Sequence, residues 1–258
     1  MAAQLQILGC SGGIGGDLRT TSLLLDDDIL IDAGTGVCDL SLDAMTKIDF
    51  VFLTHSHLDH ILSLPLLLDS VGAKRCKPVH VYGLPATIAT LKKHIFNGEI
   101  WPDFSVIPSA EKPFMTMSTL KTGDVVCLGN RSIRALPALH TVDGVGYAIS
   151  SNGSTIAFSG DSGPCQDFWD EVQKIDKLKH LLIETSFTDN DEFLADLSQH
   201  YCPVSLANSM KPVSPSTQIW ISHLKPGQGE QIMAELNHLD RIGRVEPRAL
   251  VAGQILSF

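Results

Sequence analysis

Phe50-Val51-Phe52-Leu53-Thr54-His55-Ser56-His57-Leu58-Asp59-His60 joins an apolar strand to a turn that carries three histidines and an aspartate within six residues. His55 and His57 stand two apart, so in an extended segment both rings project to the same side. Asp59 and His60 follow where the chain turns into a helix, which swings them toward a second point nearby. Imidazole and carboxylate without thiolate is the donor set of a catalytic Zn, Mn or Fe site rather than of a closed structural zinc site. The plainer alternative is a polar or pH-sensitive surface turn. Clustered His and Asp beside a buried strand have few uses other than metal.

Two sites need more donors than this turn supplies. His140 follows Leu136-Pro137-Ala138-Leu139, Asp161 follows Ala157-Phe158-Ser159-Gly160, and His223 follows Ile219-Trp220-Ile221-Ser222. Taken alone, Asp161 reads as a capped turn, and His140 or His223 as a half-buried imidazole. Four candidate groups, each placed just after an apolar strand, favour one shared site at the mouth of the sheets.

His55-Ser56-His57-Leu58-Asp59-His60 resembles the HxHxDH signature of the metallo-β-lactamase superfamily, and His140, Asp161 and His223 fall at that family's later ligand positions. The resemblance implies two divalent ions, with zinc expected and Mn or Fe as alternatives. One ion would take His55, His57 and His140. The other would take Asp59, His60 and His223, with Asp161 bridging both.

Three further stretches point to a branch. They are His57-Leu58-Asp59-His60 continuing into Ile61-Leu62-Ser63-Leu64, the segment from His94 through Phe96-Asn97 and Ile100-Trp101-Pro102 to Phe104, and Ile221-Ser222-His223-Leu224-Lys225-Pro226-Gly227. Together they resemble the class II cyclic-nucleotide phosphodiesterases, from about Leu5 to the C-terminus. Pro65 departs from that family's signature, which prefers an aliphatic residue there; it bends or restarts a helix without touching a ligand.

The resemblance implies hydrolysis of 3′,5′-cyclic nucleotides, cAMP or cGMP, to 5′-nucleotides by a hydroxide held between the two ions. Asp59 would hold that hydroxide as well as bind metal. His200, in Gln199-His200-Tyr201, is similar to the histidine that contacts the scissile phosphate in related phosphodiesterases, including the tRNA 3′-processing endonucleases. Glu184 would orient it by accepting its second N–H. A bland surface histidine and a lone exposed carboxylate are the competing readings. Phe96, Trp101 and Phe104 could stack on a base, but core packing is the expected use. His80, His94, His180 and His238 read as ordinary.

Leu8-Gly9-Cys10-Ser11-Gly12-Gly13-Ile14-Gly15-Gly16 is neither a Walker loop nor a dinucleotide fingerprint, because no Gly-Lys-Ser/Thr follows and the glycine spacing fails. It reads as a turn between the first two strands, with glycines that could let backbone approach a substrate.

The chain has 258 residues, 44% of them hydrophobic and 19% charged, and a net charge of −10. That balance argues against gripping long nucleic acid, which relies on Lys and Arg at phosphates. A small anionic cyclic nucleotide remains compatible, because bound metal supplies local positive charge. Met1–Gln6 lacks a basic signal segment, and no apolar run approaches the ~20 residues that span a bilayer, so a cytoplasmic protein away from membranes is expected. Six scattered cysteines without CxxC pairs are expected to be reduced, small core residues. The resembling enzymes are often dimers, which makes a homodimer one expected state.

Strands are expected in two groups: Gln4–Leu8, Ser22–Leu25, Ile29–Asp32 and Phe50–Leu53, then Val79–Tyr82, Ser132–Ala135, Gly146–Ser150, Thr155–Ser159, His180–Glu184 and Gln218–Ser222. Helices are expected over Leu58–Ser70, Pro85–Ile95, Phe168–Ile175, Asp189–Leu197, Pro203–Met210 and Gln228–Leu239. One α+β domain over residues 1–258 fits, an αββα sandwich of two mixed β-sheets flanked by helices. Other chemistries on the same metals are the nearest rivals: an RNA-end or cyclic-dinucleotide phosphodiesterase, a lactonase or a thioesterase. A non-catalytic binding protein is the rival of another class.

Overall fold

The computed structural model describes residues 2–239 and 246–258. The chain opens with strands β1 (Gln4–Gly9), β2 (Ser22–Leu25) and β3 (Ile29–Ile31), then helix α1 (Leu42–Lys47) and strand β4 (Phe50–Phe52). Helices α2 (Leu58–Ile61) and α3 (Ser63–Val71) lead to β5 (Val79–Gly83) and α4 (Pro85–Thr90). A two-residue-stranded hairpin, β6 (Pro108–Ser109) and β7 (Lys112–Pro113), precedes β8 (Met115–Thr119), β9 (Val125–Leu128), β10 (Arg131–Pro137), β11 (Val145–Ser151) and β12 (Ser154–Phe158). Then come α5 (Gln166–Val172), β13 (Leu178–Glu184), α6 (Glu192–Ser198), α7 (Pro203–Ser209), β14 (Gln218–Ser222), α8 (Gly229–Asn237), β15 (Arg248–Ala249) and β16 (Ile255–Ser257).

Among the described residues, all strands but the β6–β7 pair form two seven-stranded sheets, β16-β1-β2-β3-β4-β5-β8 and β15-β14-β13-β12-β11-β10-β9. In the first, β16 through β3 pair antiparallel and β3 through β8 pair parallel. In the second, β9 through β12 pair antiparallel and β12 through β15 pair parallel. Side-chain alternation explains the layers. Leu5, Ile7, Leu23, Ile29 and Ile31 face inward and meet Ile133, Tyr147, Ile149, Ile156 and Phe158 of the other sheet. Their neighbours Leu24, Leu30 and Val51 face outward onto Leu64, Leu67 and Leu68 of α3. Leu181, Ile183, Ile219 and Ile221 likewise meet Phe168, Trp169, Leu206 and Ile232. Strands buried on both faces read as unbroken apolar runs, which is the pattern seen at Leu23-Leu24-Leu25 and Leu181-Leu182-Ile183. The αββα sandwich with two mixed sheets is the observed architecture.

The expected helix Leu58–Ser70 divides at Leu62, and Pro65 lies in the first turn of α3, where its missing N–H costs no helical bond. Val79–Gly83 pairs with β4 and so belongs to the first sheet, against the grouping expected from sequence. The strands β8, β9 and β16 were not expected. All three are sheet edges; β8, Met115-Thr116-Met117-Ser118-Thr119, mixes polar and apolar residues, and β9 is apolar in sequence yet half exposed.

The cysteines also differ from expectation. Only Cys202 is buried; Cys38, Cys76 and Cys127 are exposed, and Cys10 and Cys165 are intermediate. Cys127 sits on the edge strand β9 and Cys76 in a connecting turn, so neither has a layer to cover it. Phe96 and Phe104 pack into the core beneath α3 and α4, with Trp101 half-buried against it. Among the described residues, no helix is long and apolar enough to cross a membrane.

Candidate metal centre

β3, β4, β10, β12, β13 and β14 end on one rim of the sandwich. β3 and β4 run parallel, and so do β12, β13 and β14; β10 is antiparallel to β11, which is antiparallel to β12. The residues at or just beyond these ends are therefore brought together: Asp32, His55, His140, Asp161, Glu184 and His223. The turn into α2 adds His57, Asp59 and His60.

The seven candidate ligands fall into two groups. His55, His57 and His140 form one, and Asp59, His60, Asp161 and His223 the other; within each, one donor atom per residue lies within 4.8 Å of the rest. His57 Nδ1 and His140 Nε2 are 3.1 Å apart. Asp161 Oδ2 lies 3.1 Å from His60 Nε2 and 3.8 Å from His55 Nε2, so this carboxylate touches both groups. Asp59 Oδ2 lies 3.7 Å from both His60 Nε2 and His223 Nε2.

Hydrogen bonding tests whether this set fits metal. Among the described residues, His55 Nε2 and both ring nitrogens of His223 are buried without a hydrogen-bond partner. His223 Nδ1 is 3.2 Å from Asp161 Oδ1 but outside hydrogen-bond geometry. Orphaned buried polar atoms are costly unless something satisfies them. Here they converge with carboxylates on a common point, which fits divalent cations. Burial pulls His140 down to about 4 and His223 to about 3, so both rings are neutral and offer lone pairs. For His60, burial works the same way but the charges of Asp161 and Asp32 outweigh it and push the group well up. A cation at Nε2 satisfies the demand that a proton otherwise would.

The nitrogens that face away from the common point are held by the chain. His60 Nδ1 is 2.7 Å from Asp32 Oδ2, and Asp32 also accepts from Thr54 N at 2.7 Å and Thr54 Oγ1 at 2.8 Å. His55 Nδ1 meets Thr54 Oγ1 at 3.0 Å, and His140 Nδ1 meets the Gln199 carbonyl at 3.1 Å. Such outer partners fix ring orientation and tautomer. Asp32 was missed from sequence because a single aspartate after a strand has no signature of its own. Its backbone is left-handed at φ 59°, as is that of His223 at φ 60°, a conformation that costs non-glycine residues energy and gathers at functional sites.

His200 and Glu184 are both buried, which removes the surface readings of each. Glu184 Oε1 is 2.9 Å from His200 Nδ1 and also accepts from Ser162 N at 3.1 Å; Oε2 accepts from Ser186 Oγ at 3.0 Å. Burial lowers His200, but the adjacent carboxylate wins and holds it above its ordinary value. The His200 ring stacks on His223 at 5.3 Å and meets His140 edge-on at 4.9 Å. His200 can also form a donor group with His140 and Asp161.

The glycine-rich loop closes on this rim. Gly12 N donates to the Leu224 carbonyl at 3.0 Å, and His223 N to the Cys10 carbonyl at 2.7 Å. A Cβ on Gly12 would stand 2.8 Å from His223 Cδ2. Its glycine thus admits the last histidine. The ordinary histidines lie elsewhere: His80 bonds Ser118 and Thr116, His180 bonds Trp220 and Ser257, and His238 bonds the Ala234 carbonyl.

The family model described as "Beta-lactamase superfamily domain" matches residues 27–243. A protein named "Probable 3′,5′-cyclic-nucleotide phosphodiesterase" from Yersinia pestis is 24% identical over 284 residues, covering 90% of this chain and 81% of that protein. The 3′,5′-cyclic-nucleotide phosphodiesterase of Aliivibrio fischeri is 28% identical, covering 70% of this chain and 67% of that one. Ribonuclease Z of Myxococcus xanthus is 31% identical over a shorter stretch, 48% of this chain and 38% of its own. The crystal structure of unliganded yeast PDE1 superposes with a TM-score of 0.84 at 21% identity, covering 100% of this chain and 99% of that one.

Proposed function

This chain belongs to the metallo-β-lactamase superfamily as a hydrolase of that fold, and from that premise we propose that it is a phosphodiesterase for 3′,5′-cyclic nucleotides, acting with two divalent ions. The observation that carries the reading is the convergence of His55, His57, His140, Asp59, His60, Asp161 and His223 at one rim, where His55 Nε2 and both His223 nitrogens are buried with no hydrogen-bond partner among the described residues. The two relatives named for cyclic-nucleotide hydrolysis, each spanning two thirds or more of both chains, support the substrate class.

In this reading His55, His57 and His140 would hold one ion and Asp59, His60 and His223 the other, and Asp161, whose Oδ2 approaches both His60 and His55, would serve the pair. Bound there, the ions supply a lowered pKa for water and a sink for negative charge on phosphoryl oxygens. The chain's own residues do the rest. Asp59, with its side chain 31% exposed, is open enough to accept a hydrogen bond from the attacking water and aim it at phosphorus. Glu184 commits His200 Nδ1, so Nε2 is the nitrogen left to donate to the substrate. As the water oxygen bonds to phosphorus and gives up a proton through Asp59 to solvent, the P–O3′ bond breaks, the His200 proton passes to the 3′ oxygen, and a 5′-nucleotide leaves.

Ribonuclease Z relatives favour RNA ends as a second reading. The net charge of −10 weighs against it, because an RNA strand needs a basic track. Incubating the metal-loaded protein with cAMP, cGMP and a tRNA precursor carrying a 3′ trailer separates the two. Cleavage of the cyclic nucleotides with the RNA left intact is the expected result; trailer removal alone would transfer the protein to the second reading.

A further inference from the structure

Lys225 follows His223 by two residues, where the chain leaves β14. Its Nζ donates to the Gly12 carbonyl at 3.0 Å and lies 5.7 Å from the Phe187 ring centroid. Phe187 in turn lies 5.8 Å from the His200 ring. Gly12 rests directly against the His223 ring. The ammonium is thus held between residues that pack on His223 and on His200.

What Lys225 lacks is an acidic partner. Among the described residues, Arg19, Lys47, Arg75, Lys77, Arg131, Arg134, Lys174 and Lys211 each pair with an Asp or Glu; Lys225 is one of the cations that do not, and what sets it apart is its place, with its ammonium on the Gly12 carbonyl and the Phe187 face beside His223 and His200. Among the described residues, no carboxylate lies within 4.0 Å of Lys225 Nζ. Its two neighbours, a carbonyl and an aromatic face, position a cation without neutralising it. A half-buried ammonium held this way keeps its unit charge for an anion that arrives beside His200 and His223.

We propose that Lys225 is a substrate-binding residue that holds a phosphate oxygen of the incoming ester on the His200 side of the centre. It acts as a point charge with rotatable donors, which tolerates an anion that changes shape during attack. The choice of a phosphate ester as the ligand rests on the phosphodiesterase reading.

Two variants separate a charge role from a simple tether of the glycine loop. Lys225→Gln keeps an N–H donor for the Gly12 carbonyl and removes the charge; Lys225→Arg keeps both. Calorimetric titration of inorganic phosphate into the metal-loaded proteins is the binding readout, with metal content measured alongside. For Lys225→Gln, phosphate affinity is expected to fall about 10- to 100-fold with two metals still bound, and Lys225→Arg to recover most of it. With cAMP, KM should rise by a similar factor and kcat change by less than about 3-fold. Unchanged phosphate affinity in Lys225→Gln, loss of metal in that variant, or no phosphate binding by the parent protein would each overturn the assignment. Failure to turn over cAMP would sink the phosphodiesterase reading while the phosphate titration still decides the role of Lys225.

Discussion

Asp32 Oδ2 and His60 Nδ1 lie 2.7 Å apart with both side chains fully buried. The pair joins the end of β3 to the first turn after β4, and Thr54 supplies Asp32 with two further hydrogen bonds. One buried carboxylate therefore sets the ring that would face metal through Nε2.

Asp32→Asn keeps the shape but weakens the acceptor for His60. Outer-shell changes of this kind commonly cost 10–100-fold in metal affinity. A loss of about that size is expected in a chelator competition, with the fold retained by circular dichroism. Parent-like affinity would mean that His60 is oriented by something else.

Gly12→Ala places a Cβ 2.5 Å from the His223 carbonyl and 2.8 Å from its ring. Displacing a site residue by about 1 Å can cost about 10²-fold in rate. Gly144→Ala is the control, since its Cβ would meet His55 Cβ at an ordinary 3.5 Å. Metal content and turnover should fall in the first variant and hold in the second. Equal behaviour of the two would contradict the close packing of the loop on His223.

His200→Ala removes a proton donor that the proposed metal ligands do not require. Two metals should remain bound and the rate should drop by about 10²–10⁴. Loss of a metal ion would instead place His200 among the ligands, in the grouping with His140 and Asp161.

Burial pushes the Asp49 carboxyl up, but hydrogen bonds from Lys77 at 2.6 Å and Arg75 at 2.7 Å, with their charges, outweigh it and hold the group below its ordinary value. A pKa depressed by folding stabilises the protein above the unfolded value and ceases to do so as pH falls through the folded one. Asp49→Asn should therefore melt below the parent at pH 7. The gap should close as pH drops from about 5 toward 2. A gap independent of pH would show that the ion pairs contribute nothing through Asp49 ionisation.

The seven converging donors were legible because four of them crowd into His55–His60 and the others each end an apolar strand. Sequence spacing reports such clusters directly. Asp32 was not legible, since its partner His60 is 28 residues away and no local pattern links them. The burial of Glu184 and His200 was equally hidden, because they meet each other across 16 residues and Glu184 is further enclosed by Ser162 and Ser186. The central strands were readable from β-branched runs. Edge strands such as β8 and β9, short and half exposed, were not, and the placement of β5 depended on pairing that the sequence does not encode locally.

The central claim is most directly tested by following 3′,5′-cAMP and 3′,5′-cGMP with the purified protein, before and after treatment with a chelator and after metal is restored. Release of the 5′-nucleotide that stops with the chelator and returns with metal is the expected result. Two metals bound per chain with neither cyclic nucleotide cleaved would contradict the proposed substrate and leave the family's fold with a different ester.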